Sequence, residues 1–142
     1  MNPNKRNFML GDIYKSGRAY SHATCVDVGD STMIFIAGQI AKNEDGEPTS
    51  NDIQEQTTFI FEKIKRILEE NNSSLDDLVK VQIFLKDIKN FEKVSVIRNQ
   101  YLETSKPVST LIEMGASVKE GCDVEIDGIA ITKINIKGKE KK

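Results

Sequence analysis

The chain has 142 residues, of which 38% are hydrophobic and 30% charged, and its formal net charge is −2. That is the size and make-up of one soluble globular domain able to bury a core. The acidic balance gives no positive field for nucleic acid or an anionic membrane. No apolar run is long enough to span a bilayer, and "MNPNKRNFML" lacks the apolar stretch of a signal peptide.

Residues 8–14, "FMLGDIY", read as a short strand broken by a turn-forming Gly-Asp pair. At 19–29, Cys25, Val26 and Val28 suggest a second strand ending at Gly29-Asp30. "TMIFIAGQIA" at 32–41 sets Ile34, Ile36 and Ile40 against Met33, Phe35 and Ala37, the pattern of a strand covered on both faces. A loop at 42–50 leads to Asn51, which is expected to open a helix with Gln54 at its third position. Ile53, Thr57, Ile60, Ile64, Ile67 and Leu68 form one apolar stripe, and Asn71-Asn72 can end the helix.

A strand is expected at 79–86, alternating Val79, Val81, Ile83 and Leu85 with Lys80, Gln82, Phe84 and Lys86. A second helix at about 90–104, capped by Asp87 or Asn90, buries Phe91, Val94, Ile97 and Tyr101. Pro107 then starts a strand with Val108, Thr110, Ile112 and Met114 on the core face and Ser109, Leu111 and Glu113 on the other. After a turn at 118–123, the last strand runs over 124–136.

The order β-β-β-α-β-α-β-β predicts an α+β fold in which two helices cover one face of a mixed sheet. One domain is expected over 1–142, folded from about 7 to 136, with the basic tail "KGKEKK" at 137–142 frayed. The second sheet face, carrying Phe35, Phe84, Leu111, Ile129 and Ile131, is left apolar and uncovered, so it is expected to be an oligomer interface.

Cys25 and Cys122 form no C-x-x-C and read as small buried hydrophobes of a reducing compartment, with cytosol as the expected location. A single histidine, His22, cannot supply a His/Cys zinc site, and its neighbours include no nucleophile motif. No phosphate-binding or dinucleotide motif occurs, and no cofactor is expected.

Four segments in order resemble the Rid family, also called the YjgF or L-PSP endoribonuclease family, over roughly residues 14–132. "AYSHA" at 19–23 is similar to the family's G-P-Y-S-Q-A, and "IAGQIA" at 36–41 to its S-G-Q-I strand end. "VKVQIFLKDIKNFEKV" at 79–94 is similar to its strand–turn–helix signature, and "VEIDGIA" at 124–130 to V-E-I-E-A-I-A. The resemblance implies a chorismate-mutase-like subunit that forms a homotrimer around a central β-barrel, with clefts between subunits. It also implies hydrolysis of enamines and imines to a keto acid and ammonia, without metal or organic cofactor.

Carried onto this chain, the resemblance makes Tyr20 a cleft wall and Gly38 a point of close backbone approach, with Gln39 beside it. Glu125 becomes the acid/base that positions water, and the Leu111 N–H a donor to the substrate carboxylate. The family's carboxylate-binding arginine falls at Ser109, and its helix asparagine at Ser95. A charge-assisted bidentate pair is worth about 1.5–3 kcal/mol, so Ser109 cannot do an arginine's work.

A replacement cation is therefore expected, with Arg98 first because it borders the buried stripe of the second helix. Arg18 comes second, and Lys106 is expected to point to solvent. The leading reading is a small hydrolase of an imine, enamine or related aminated carbonyl compound. The alternative is a non-catalytic trimer binding a small metabolite or a protein. A third, ribonuclease, is opposed by the acidic balance and the lack of a basic–aromatic stripe.

Overall fold

The structure, a computed structural model, describes residues 2, 4–11 and 19–134. Period-two alternation builds six strands: β1 (Lys5–Phe8), β2 (Ala23–Val28), β3 (Ser31–Ile40), β4 (Leu78–Leu85), β5 (Val108–Glu113) and β6 (Val124–Lys133). They form one mixed sheet in the order β1-β2-β3-β6-β4-β5, antiparallel except for the β4–β5 pair. Helices α1 (Ile53–Glu69) and α2 (Phe91–Tyr101) lie side by side on one face. This is the α+β arrangement read from the sequence.

The core lies between helices and sheet. Ile60, Phe61, Ile64, Ile67 and Leu68 of α1 are buried against Ile34, Ile36, Val81, Ile83, Leu85, Ile126 and Ala130 of the strands. Both cysteines are free and buried, Cys25 within this core and Cys122 outside it against the Ala41 carbonyl. Gln56 is also fully buried. Its amide donates to the carbonyls of Ser50 and Gly121 at 2.8 Å and accepts the Asp123 N–H at 2.9 Å, tying both loops to α1.

Several boundaries differ from expectation. The first strand is Lys5–Phe8 and stops before Gly11, whose φ of 67° makes the turn, while residues 12–14 lie outside the described residues. The N-cap of α1 is Asp52 instead of Asn51, its carboxylate accepting the N–H groups of Gln54 and Glu55 at 2.9 Å. Asn72, with φ 61°, does end the turn after α1. Asp87 caps a single 3-10 turn at Ile88–Asn90 that leads into α2, Asn90 makes no side-chain cap bond, and Phe91 is exposed. The last strand ends at Lys133, and residues 135–142, including the basic tail, lie outside the described residues.

Two bulges and one inverted face account for the larger differences. Between Ile36 and Gln39 strand β3 holds one residue more than β6, which turns Gln39 to the core and Ile40 away from it. A second bulge between Leu78 and Lys80 turns Val79 outward. In β5 the faces are opposite to those expected. Ser109 and Leu111 pair with the buried Val81 and Ile83, so Ser109, Leu111 and Glu113 look toward the helices, whereas Val108 and Ile112 are exposed on the far face. The uncovered apolar face therefore carries Phe35, Phe84, Ile129, Ile131, Val108 and Ile112, and not Leu111.

Candidate functional site

The expected site residues fall into two groups on opposite faces of the sheet. The first is on the open face. Glu125 follows the buried Val124 and precedes the buried Ile126, so alternation points it away from the helices, beside Phe84 on β4 and Ile40 on β3. Its carboxylate rests on the bulge at Gly38: a Cβ there would lie 2.5 Å from Glu125 Oε2. Glycine is needed at this point because the side chain packs onto bare backbone.

Burial raises the pKa of Glu125, and the neighbouring Asp127 carboxylate raises it further. Asp127 is itself raised by burial, opposed by Lys80 and by a hydrogen bond from the Gln82 backbone. The Gln82 amide, turned so that both groups are satisfied, donates to both Asp127 oxygens at 3.3 and 3.2 Å. A half-buried carboxyl group beside a second carboxylate is a setting in which a proton can be held and passed on. Asp127 was not singled out from the sequence, although Glu-x-Asp on one strand places both carboxylates on one face.

Tyr20 is 46% exposed, and its ring meets His22 edge-on at 6.3 Å. His22 fixes this corner: its carbonyl accepts the Ala37 N–H at 2.9 Å, and its Nδ1 accepts the Leu10 N–H at 2.8 Å. Burial and the Lys63 charge lower the His22 pKa, which keeps Nδ1 free to accept. Tyr20 thereby stands at the end of the sheet where the Gly38 bulge and Glu125 lie. Gln39, 2% exposed, faces the helix side and donates to the Ala37 carbonyl at 2.8 Å, which closes the bulge from within.

The second group lies at the outer edge of the sheet, between the end of α2 and β5. Arg98, Asn99, Glu103, Lys106 and Ser109 line a groove of about 560 Å³ floored by Leu102 and Pro107. Arg98 donates from Nε and Nη2 to Asn99 Oδ1 at 3.2 and 3.1 Å, and from Nη1 to Ser109 Oγ in a long contact of 3.4 Å. No carboxylate lies within 4.0 Å of the guanidinium among the described residues. Arg18 lies outside the described residues.

Strand β5 adds backbone donors to this group. The Met114 N–H donates to the Leu85 carbonyl at 2.8 Å, toward β4. Successive N–H groups of an extended strand alternate, so those of Leu111 and Ser109 point to the free sheet edge. Ser95, on the inner side of α2, is buried with its hydroxyl unpaired. Lys106 is exposed, as expected, and also lines the groove. Asn99 was not singled out either, since a polar residue on an exposed helix face carries no signal of its own.

Glu125 and the Arg98–Ser109 groove are thus separated by the thickness of the sheet within one chain.

The Endoribonuclease L-PSP family model matches residues 13–132. A RutC family protein of Pyrococcus abyssi is 41% identical over 112 residues, spanning 78% of this chain and 84% of its own. Protein MMF1 of Saccharomyces cerevisiae, described as mitochondrial, is 35% identical over 103 residues, spanning 72% and 70%. The crystal structure of yeast Mmf1 superimposes with a TM-score of 0.73 at 29% identity, covering 89% of this chain and 93% of that one. A Mycobacterium tuberculosis member of the YjgF/YER057c/UK114 family has a TM-score of 0.76 over 90% and 99% of the two chains; at 24% identity it speaks for the fold. No helix among the described residues is long and apolar enough to cross a membrane. The match over most of the chain, joined to the open sheet face, the Gly38–Glu125 contact and the edge groove, makes this protein a member of the Endoribonuclease L-PSP (YjgF/Rid) family.

Proposed function

We propose that this chain is a cofactor-independent hydrolase of C=N bonds, acting on an imine or enamine that carries a carboxylate. It works as a homotrimer whose clefts are each completed by two subunits. Arg98 supplies the cation that Ser109 lacks, and the Leu111 N–H at the sheet edge shares the carboxylate. Glu125 of the facing subunit activates water against the C=N carbon and returns the proton to the leaving nitrogen. Tyr20 and the backbone at Gly38 wall the cleft.

The observation that carries this reading is the Arg98 guanidinium, held by neutral partners beside Ser109 with no carboxylate within 4.0 Å among the described residues. A cation kept unneutralised in a groove favours an anionic ligand. The upward shift of the Glu125 pKa, caused by burial and by Asp127, supports the proton-transfer role. The exposed apolar face supports assembly, because Phe35, Ile112, Ile131 and Val108 lie together on one side of the sheet. A reducing compartment such as the cytosol accords with two free cysteines. Nothing in the described surface forms the basic–aromatic track that single-stranded RNA requires.

The test generates imino acids in situ with an amino-acid oxidase and traps survivors with semicarbazide. Wild-type protein should lower the trapped yield, and neither Arg98→Met nor Glu125→Gln should. Undiminished trapping across several side chains, with the acid still bound by calorimetry, would leave the non-catalytic binding trimer as the better account.

A further inference from the structure

Lys106 presents a side chain from a backbone that disfavours one. Its φ is 44°, in the left-handed region, and it precedes Pro107. For a residue other than glycine that conformation costs about 1–2 kcal/mol. The exit from α2 imposes it: the Lys106 N–H donates to the Leu102 carbonyl at 3.0 Å, and the chain turns there into β5. Glycine would make the same turn without steric cost.

The ammonium has no carboxylate within 4.0 Å among the described residues, as is also true of Arg98. Two unneutralised cations therefore line one groove of about 560 Å³, with Glu103 as the carboxylate on its wall. A monocarboxylate held by Arg98 leaves Lys106 unused.

Resting on the assignment of Arg98 as the carboxylate anchor, we infer that Lys106 is a specificity-determining residue that selects small acids bearing a second anionic group, either carboxylate or phosphate. The first anionic group lies on the guanidinium fork and the second meets the ammonium. Glu103 opposes the second charge and so limits how tightly such a ligand is held.

The test is calorimetry on the full chain at low salt with three unreactive probes: succinate, phosphoglycolate and butyrate. At least one dianion should bind about three- to tenfold tighter than butyrate, the range for a partly exposed charge pair. That ratio should shrink as salt is raised. Lys106→Gly, which suits the left-handed backbone and folds, should bring the ratio close to one, and Glu103→Gln should widen it. Dianions no tighter than butyrate, or a ratio untouched by Lys106→Gly, overturns the role of Lys106 while leaving Arg98 as the anchor. Failure of wild type to bind any of the three removes Arg98 as the anchor, and this inference falls with it.

Discussion

Replacing Gly38 by alanine asks whether Glu125 must sit where it does. The new Cβ would lie 2.5 Å from Oε2, 2.8 Å from Cδ and 3.0 Å from Cγ of Glu125. Carbon atoms in ordinary contact need about 3.5–4.0 Å, so the carboxylate has to move by roughly 1 Å. The clashing atoms belong to one flexible side chain on an open sheet face, and the backbone can stay in place. An off-rotamer shift costs about 0.5–1.5 kcal/mol, and alanine restores about 0.4–1 kcal/mol by restricting the unfolded chain. Stability should then change by less than about 1 kcal/mol, or about 4 °C in Tm. Catalysis has no such slack, because a displacement of about 1 Å in a reacting group costs about 100-fold. Gly38→Ala is expected to lose about 100-fold in imine hydrolysis by the trapping assay, with calorimetry nearly unchanged. Full turnover in this variant would refute the role given to Glu125, and a collapse in Tm would show that the fold itself requires Gly38.

The remaining predictions concern charge and packing. The folded-state pKa of Glu125 is raised above 4.5, so the folded chain holds that proton more tightly than the unfolded one. Its ionisation is a penalty absent below pH 4.5 and growing as pH rises through the folded value. Glu125→Gln should therefore be more stable than wild type at pH 7 by urea denaturation, and the difference should vanish in acid. Asp127→Asn removes one cause of the shift, so the acid limb of the pH–rate profile should move to lower pH; an unmoved limb would uncouple the two carboxylates. Gln56→Ala strands two carbonyls and one N–H of partly buried loops and should cost about 3–5 kcal/mol by the same denaturation measurement. His22, the one histidine of the chain, should titrate below 6.5 by NMR, and Lys63→Met should raise that value without reaching it, since burial is the larger cause.

Strands β2, β3, β4 and β6 and helix α1 were legible because their apolar periodicity is long and regular. Strand β5 was placed correctly and faced wrongly. Val108 and Ile112 are as apolar as Leu111, and on an edge strand, where both sides are half-open, alternation alone does not say which set meets the helices. Each bulge reverses the alternation beyond it, which is why Val79, Gln39 and Ile40 point opposite to expectation. Of the site, Arg98 was singled out by helical spacing next to the buried stripe, but its contact with Ser109 was not legible, because the expected facing of β5 put Ser109 on the far side of the sheet. The place of Lys106 on that groove was not legible either, because the chain reaches it through a left-handed turn that "TSKP" does not announce. The buried Gln56 was equally invisible, since its partners are loop carbonyls distant in sequence.

The sheet that separates Glu125 from Arg98 has a genetic consequence. If each cleft borrows its acid from one chain and its anchor from another, two inactive proteins can repair each other. Pure Arg98→Met and pure Glu125→Gln assemblies contain no whole cleft, but a hybrid refolded from both should contain an intact one where the unaltered halves meet. Complementation in such mixtures would be the mark of a catalytic unit that no individual chain possesses.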